Sequence, residues 1–273
     1  QKAITVLENK NGILPLSKDN KYGYLSIDSG SGSFFKNKLD LYAHVDKVID
    51  LSSKEIIDQA KKKKWSAIIV GWHPNAKDDN PYLISKLSLR TIQKLKKVSA
   101  AIPVVINIFS NPYAVSQINK IKDLKGLIVS YQNSQIAQTI SADAMFGIHK
   151  IEGKIPVSVG KKYPMGSGII IPSKKILGYS SPALEGFNSK KLLAIDSLAK
   201  IAIDSMMTPG IQMLISRNGK IIYNKNFGYH TYEKLKKVTD SSVYDVASLT
   251  KILATLPLII QDVSANKINL NTK

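Results

Sequence analysis

Short apolar runs alternate with longer amphipathic stretches through the first 165 residues, and this alternation limits the folds open to the chain more than any other feature. Runs at 22–27, 47–51, 66–72, 103–109 and 126–131 have the length and the Val, Ile and aromatic content of strands. The intervening stretches at 53–64, 83–98, 111–122 and 134–146 have the length and period of helices. A strand covered on both faces is apolar along its whole length, and strands separated by a helix-length crossover pair in parallel. The pattern predicts an α/β fold, a mostly parallel sheet with helices on both faces. Boundary residues agree. Ser52, Ser53 and Glu55 offer capping oxygens ahead of Ile56 and Ile57, Pro112 suits a first helical turn, and Gly147 follows the last helix.

Such a layout invites a nucleotide, yet no Gly-x-Gly-x-x-Gly follows the first strand and no glycine-lysine phosphate loop occurs anywhere. Gly30 and Gly32 are expected to form only a flexible turn. The loop 71–79 follows the third strand at its carboxyl end, where open α/β sheets place ligands. It contains Trp72 and His73, candidates for substrate binding, and Asp78 and Asp79, which beside His73 would form an acid/base cluster or a weak metal site. The competing expectation is a polar surface loop with a satisfied histidine. His44, His149 and His230 are isolated, no two histidines have ligand spacing, and cysteine is absent. Neither a metal nor a cofactor is expected.

Three motifs identify this half. Ala3-Ile-Thr-Val-Leu-Glu-Asn-Lys-Asn-Gly-Ile-Leu-Pro-Leu16 opens it, and Gln138-Thr-Ile-Ser-Ala-Asp-Ala-Met-Phe-Gly147 and Gly153-Lys-Ile-Pro-Val-Ser-Val159 stand near its close. With Asn107-Ile-Phe-Ser-Asn-Pro112, they resemble the C-terminal domain of family 3 glycoside hydrolases. The resemblance implies a partner (β/α)8 barrel carrying the carboxylate nucleophile, and a carbohydrate or peptidoglycan-fragment substrate. Hydrolysis needs two groups flanking the scissile bond, at carboxylate spacings of roughly 5–9 Å. No glutamate lies between Glu55 and Glu152, the stretch that would carry an acid/base loop. That absence points to the β-N-acetylglucosaminidase branch, in which the resemblance implies that the barrel supplies both groups. It also implies a periplasmic, envelope or secreted location.

Glycine- and serine-punctuated residues 166–186 are expected as a linker in which Ile169-Ile-Ile-Pro172 can add an edge strand, and residues 187–273 as a second domain. There, 210–217 and 220–228 are strand-like around Asn218-Gly219, the strongest short hairpin signal. Ser248-Leu-Thr-Lys251 then opens an apolar run, 252–263, expected to be helical. A spacing of three puts both side chains on one helical face, with Cβ atoms roughly 5–6 Å apart. A serine hydroxyl needs a neighbouring base, and lysine serves once its surroundings favour the neutral amine. The order of helix, hairpin and Tyr244-Asp-Val-Ala-Ser-Leu-Thr-Lys251 resembles the serine β-lactamase and penicillin-binding-protein superfamily, nearest its class C and esterase-like branch. By that resemblance Ser248 is the acylated nucleophile and Lys251 its proton acceptor. The superfamily's Tyr-x-Asn and Lys-Thr-Gly motifs lie further downstream, so the start of an α+β domain is expected here, with no useful acyl transfer from this polypeptide by itself.

A net charge of +19 raises nucleic-acid binding. Against it, Arg90 and Arg217 are the only arginines, and base and phosphate recognition favours the arginine fork. Specific nucleic-acid binding is not expected. No apolar run approaches a membrane span. The leading expectation is a hydrolase that joins the two resemblances. The alternative is a non-catalytic carbohydrate- or partner-binding module.

Overall fold

The computed structural model describes residues 3–27, 31–49, 52–74, 86–118, 123–174 and 176–271. They form two compact units, Gln1–Tyr179 and Ser180–Lys273.

The first unit is built on a six-stranded sheet in the order β1-β6-β5-β4-β2-β3. Its strands are β1 (Thr5–Asn9), β2 (Lys21–Ile27), β3 (His44–Lys47), β4 (Trp65–Trp72), β5 (Val104–Ile108) and β6 (Gly126–Val129). Only β1 runs antiparallel, against β6. Period-two alternation along the central strands feeds two cores. Ile68, Val70 and Trp72 enter one, with Ile106 and Ile108, while Ala67 and Ile69 enter the other, with Val105 and Phe109. Helices α2 (Ser53–Lys63) and α3 (Lys86–Val98) cover the first face through Ile56, Ala60, Ile92 and Leu95. On the opposite face lie α1 (Ser33–Asp40) and α5 (Gln135–Met145), through Phe35, Leu39, Ala142 and Met145. Fully burying one such side chain contributes about 1.5–3 kcal/mol, so these two faces dominate the unit's stability.

Local signals set the helix ends. Ser52 Oγ accepts the Glu55 N–H and the Glu55 carboxylate accepts the Ser52 N–H, a reciprocal capping box. Lys64 closes α2 in the left-handed region, at φ 57°.

The structure departs from the sequence expectation at three places. The third strand is His44–Lys47 rather than 47–51, because β2 sets its register, pairing Lys21 with His44 and Tyr24 with Lys47. Only Val48 continues the ladder, through its N–H to the Tyr24 carbonyl, while Ile49 is exposed, and residues 50–51 lie outside the described region. The stretch expected as one helix over 111–122 is a 3-10 turn, Pro112–Ala114, followed by a single turn α4 (Val115–Ile118), with 119–122 outside the described residues. Finally, residues 166–179 belong to the first unit rather than to a linker, and Ile169-Ile-Ile-Pro172 supplies the edge pairing it offered. The Ile169 N–H donates to the Val6 carbonyl, and Ile151 and Ile171 exchange backbone bonds, so β1 gains a neighbour. Of the three isoleucines only Ile171 is buried, while Ile169 and Ile170 stay exposed, so backbone pairing rather than burial of the whole stretch holds it at that edge. Strand β7 (Gly178–Tyr179) ends the unit.

In the second unit, α6 (Ser189–Leu192) and α7 (Ala194–Asp204) precede the hairpin of β8 (Gly210–Arg217) and β9 (Lys220–Gly228). Asn218 at φ 52° and Gly219 at φ 71° make the tight turn, as the Asn-Gly pair predicts. The Tyr223 hydroxyl donates to Asp196 Oδ1 at 2.6 Å, which ties β9 to α7. A 3-10 turn (Ala247–Leu249), a π-turn (Lys251–Thr255) and α8 (Leu256–Ser264) follow. Among the described residues no helix is long and apolar enough to cross a membrane.

Candidate active site

Ser248 and Lys251 come together. Lys251 Nζ donates to Ser248 Oγ at 2.9 Å, and both residues are exposed on the second unit. The backbone that achieves this is not the regular helix expected from the sequence. Ser248 sits in the 3-10 turn and Lys251 opens the π-turn, with α-helix resuming only at Leu256. Pro257 supplies a reason: it has no N–H to donate, and its ring would clash with the carbonyl four residues back, so the preceding turn widens. Pairing survives because the three-residue separation keeps both side chains on one side of either turn.

A feature the sequence reading overlooked lies just before the serine. Ala247 is in the left-handed region at φ 43°, and its N–H donates to Asp245 Oδ1 at 2.8 Å. The 3-10 turn has no other side-chain cap. An Asp two residues ahead of a bend was the available signal, since its carboxylate can replace a backbone acceptor.

Trp72 and His73 are corrected. Both are buried, Trp72 at 1 % exposure and His73 at 0 %, so neither forms a surface that a sugar could touch. Trp72 belongs to the core under α2 and α3. His73 lies on the other face, stacked on Phe109 with ring centroids 4.5 Å apart. Its Nε2 pairs with the Tyr24 hydroxyl and its Nδ1 with Asn133 Oδ1, each at 2.9 Å. Asn133 Oδ1 also accepts from Gln138 Nε2 at 2.7 Å, and Gln138 Oε1 accepts the Phe35 N–H near the start of α1. A neutral imidazole with its proton on Nδ1 satisfies every one of these partners, with Tyr24 donating to Nε2. Burial is the main influence on the ring and pulls its pKa down to about 4, partly offset by the Asn133 bond.

Glycines make room for that ring. A Cβ at Gly71 would stand 2.3 Å from His73 Nε2, and one at Gly32 would stand 2.5 Å from it. The crevice lies at the carboxyl ends of β2 and β4, where successive crossovers leave in opposite directions and doubly wound folds receive ligands. Here the protein's own side chains fill it. Asp78 and Asp79, expected beside His73, lie outside the described residues, as does Gly30.

The remaining histidines have ordinary neighbours. His44 Nε2 is 3.5 Å from Asp46, His149 Nε2 is 3.7 Å from Asp143, and His230 pairs with Ser242 at 3.0 Å. Among the described residues no three His, Asp or Glu side chains converge as a metal site would require.

The Beta-lactamase family model matches residues 198–273, the stretch that holds the hairpin, Ser248 and Lys251. Protein flp of Staphylococcus aureus is 36% identical over 63 residues, 23% of this chain and 12% of that protein. Solved structures with a similar fold include the β-glucoside phosphorylase BglX bound to 2FGlc, at 20% identity and TM-score 0.45 over 57% of this chain and 30% of that one. A β-glucosidase from Listeria innocua in complex with isofagomine is 17% identical, with TM-score 0.44, over 56% of this chain and 25% of that one. A third, β-glucosidase 3B from Thermotoga neapolitana in complex with glucose, is 18% identical, with TM-score 0.42, over 57% of this chain and 29% of that one. The chain spans 12% of the length of the curated relatives it matches and 30% or less of these solved chains.

Proposed function

We propose that the second unit carries the nucleophile end of a serine acyl hydrolase, with Ser248 as nucleophile and Lys251 as its proton acceptor. The observation that carries this reading is the 2.9 Å approach of Lys251 Nζ to Ser248 Oγ. The family-model match over 198–273 supports it. In the acylation step Ser248 Oγ attacks the carbonyl carbon, its proton passes to the neutral Lys251 amine, and the leaving group departs as the acyl-serine forms. Water then releases the acid and restores the hydroxyl. An amine accepts a proton only in its neutral form. We expect slow acylation and no measurable turnover from this chain alone.

For the first unit, we propose the accessory α/β domain of a family 3 glycoside hydrolase of the β-N-acetylglucosaminidase type, its sugar chemistry lying on a partner barrel. The motifs at 3–16, 138–147 and 153–159 support this, as does the lack of glutamate between Glu55 and Glu152. Both chemistries would then serve cell-envelope fragments, in the periplasm or envelope. The rival reading, a non-catalytic carbohydrate- or partner-binding module, would have to use residues other than Trp72 and His73, because both side chains are buried.

Covalent labelling tests the serine assignment. Incubation with a fluorescent penicillin or a fluorophosphonate is expected to add one label at Ser248, absent from Ser248→Ala and reduced at least ten-fold in Lys251→Ala. Equal labelling of wild type and Ser248→Ala, or none in this chain and in a longer polypeptide carrying it, refutes the assignment.

A further inference from the structure

We infer that Asp245 is a positioning residue for Ser248: its carboxylate holds the left-handed turn at Ala247 that aims the serine at Lys251. The inference rests on the Ser248–Lys251 reading above and deepens it. Three observations meet within seven residues of chain, 245–251. Ala247, which is not glycine, stands at φ 43°, in a region that side-chain-bearing residues avoid by about one order of magnitude in population. Its N–H is held by Asp245 Oδ1 at 2.8 Å. The next residue is Ser248, whose Oγ lies 2.9 Å from Lys251 Nζ.

A side-chain acceptor two residues before a bend imitates the carbonyl of a tight turn, and so offsets the cost of the unusual backbone at Ala247. The turn has to sit there. Were Ala247 to relax to negative φ, the chain direction into the 3-10 turn Ala247–Leu249 would change, and Ser248 Oγ would swing away from an amine set by the following π-turn. Strain at a single residue beside a reactive group is a common way to fix its aim. The turn also has the backbone bond from the Leu249 N–H to the Val246 carbonyl at 2.9 Å, but among the described residues Asp245 is the one side chain that accepts from its backbone, and residues 244–260 are exposed, so packing does not hold the bend in place. The role asks for an acceptor oxygen, not for charge. Asn in place of Asp245 keeps that oxygen, Ala removes it, and Gly in place of Ala247 makes it unnecessary.

The chain contains no cysteine, so Ser248→Cys installs a unique thiol that reports on the turn independently of any acyl transfer. Its alkylation by iodoacetamide, followed against pH, is expected to have a midpoint about one pH unit below the 8.5 of a free thiol, because the Lys251 ammonium stabilises the thiolate. Adding Asp245→Ala is expected to return the midpoint toward 8.5, as Lys251→Ala does. Asp245→Asn is expected to leave it low, and Ala247→Gly to restore it in the Asp245→Ala background. A profile unmoved by Asp245→Ala overturns the inference, and so does an Asp245→Asn variant that behaves like Asp245→Ala. A midpoint already at 8.5 in the Ser248→Cys chain overturns it too, by showing that Lys251 does not address position 248. If the thiol responds as expected while wild-type Ser248 takes no penicillin or fluorophosphonate, the positioning role stands and the acyl-hydrolase reading fails.

Discussion

Replacing His73 by a side chain that cannot titrate should remove a specific slope from the pH dependence of stability. In the folded first unit the ring is buried and neutral, with a pKa of about 4 against an ordinary 6.5. Once the chain unfolds, the ring meets water and takes up a proton below about 6.5. Between pH 6.5 and 4 the unfolded state therefore binds one more proton than the native state, and stability falls as pH falls through that window. One pKa unit corresponds to about 1.4 kcal/mol, so the depression of roughly 2.5 units is worth about 3 kcal/mol in all, and about 2 kcal/mol between pH 7 and 5. Carboxylates act lower on the scale. Burial alone would raise Glu8, but Lys162 and Tyr163 outweigh it and hold it below its ordinary 4.5; at Asp46, Lys63 and Trp65 likewise outweigh burial and hold it below 3.8. Their contributions are lost mainly as pH drops beneath those values, and the difference between wild type and a His73 variant over pH 7 to 5 reads the His73 contribution. Urea unfolding followed by tryptophan fluorescence reads this unit alone, since Trp65 and Trp72 are the only tryptophans and both lie in β4. His73→Gln is expected to be less stable at pH 7, but its curve from pH 7 to 5 should be flatter than wild type by about 2 kcal/mol. Parallel curves, or an NMR titration that places His73 near 6.5, would refute the account of a ring sealed between Tyr24 and Asn133.

Further outcomes follow from the packing. Lys38 Nζ is 3.2 Å from Asp143 Oδ1, both side chains are buried, and Tyr42 donates to the same carboxylate. Lys38→Met removes the ammonium beside that carboxylate, which keeps Tyr42 and His149 as neighbours, and should destabilise the first unit by about 1–3 kcal/mol in urea. A loss below about 1 kcal/mol would show that the pair is not sealed from water. In the second unit, Gly219 at φ 71° has open space where a Cβ would go, so Gly219→Ala tests backbone strain without a clash. It should cost about 1–2 kcal/mol and speed amide exchange along β8 and β9, whereas Gly219→Asn should cost less. Equal exchange in Gly219→Ala and wild type would refute the turn assignment.

What the sequence determined by itself is what short-range chemistry controls. Strand-like and helix-like periodicity over a few residues predicted β2, β4, β5 and β6 to within a residue or two, and the Ser52–Glu55 pair marked the start of α2. Asn218-Gly219 placed the hairpin with both strands at their observed ends, because only such residues take that turn without strain. Ser248 and Lys251 were legible together since three residues separate them, whatever helical form the chain takes there. Tertiary structure decided the rest. The register of β3 came from its partner β2, and which edge the stretch around Ile169 joins, that of β1, depends on what lies alongside. His73 shows the same limit most clearly. Its partners Tyr24 and Asn133 are 49 and 60 residues away, and Gly32 and Gly71 merely leave the space. Residue spacing carries no trace of such a cage, because burial and hydrogen bonding act through space rather than along the chain.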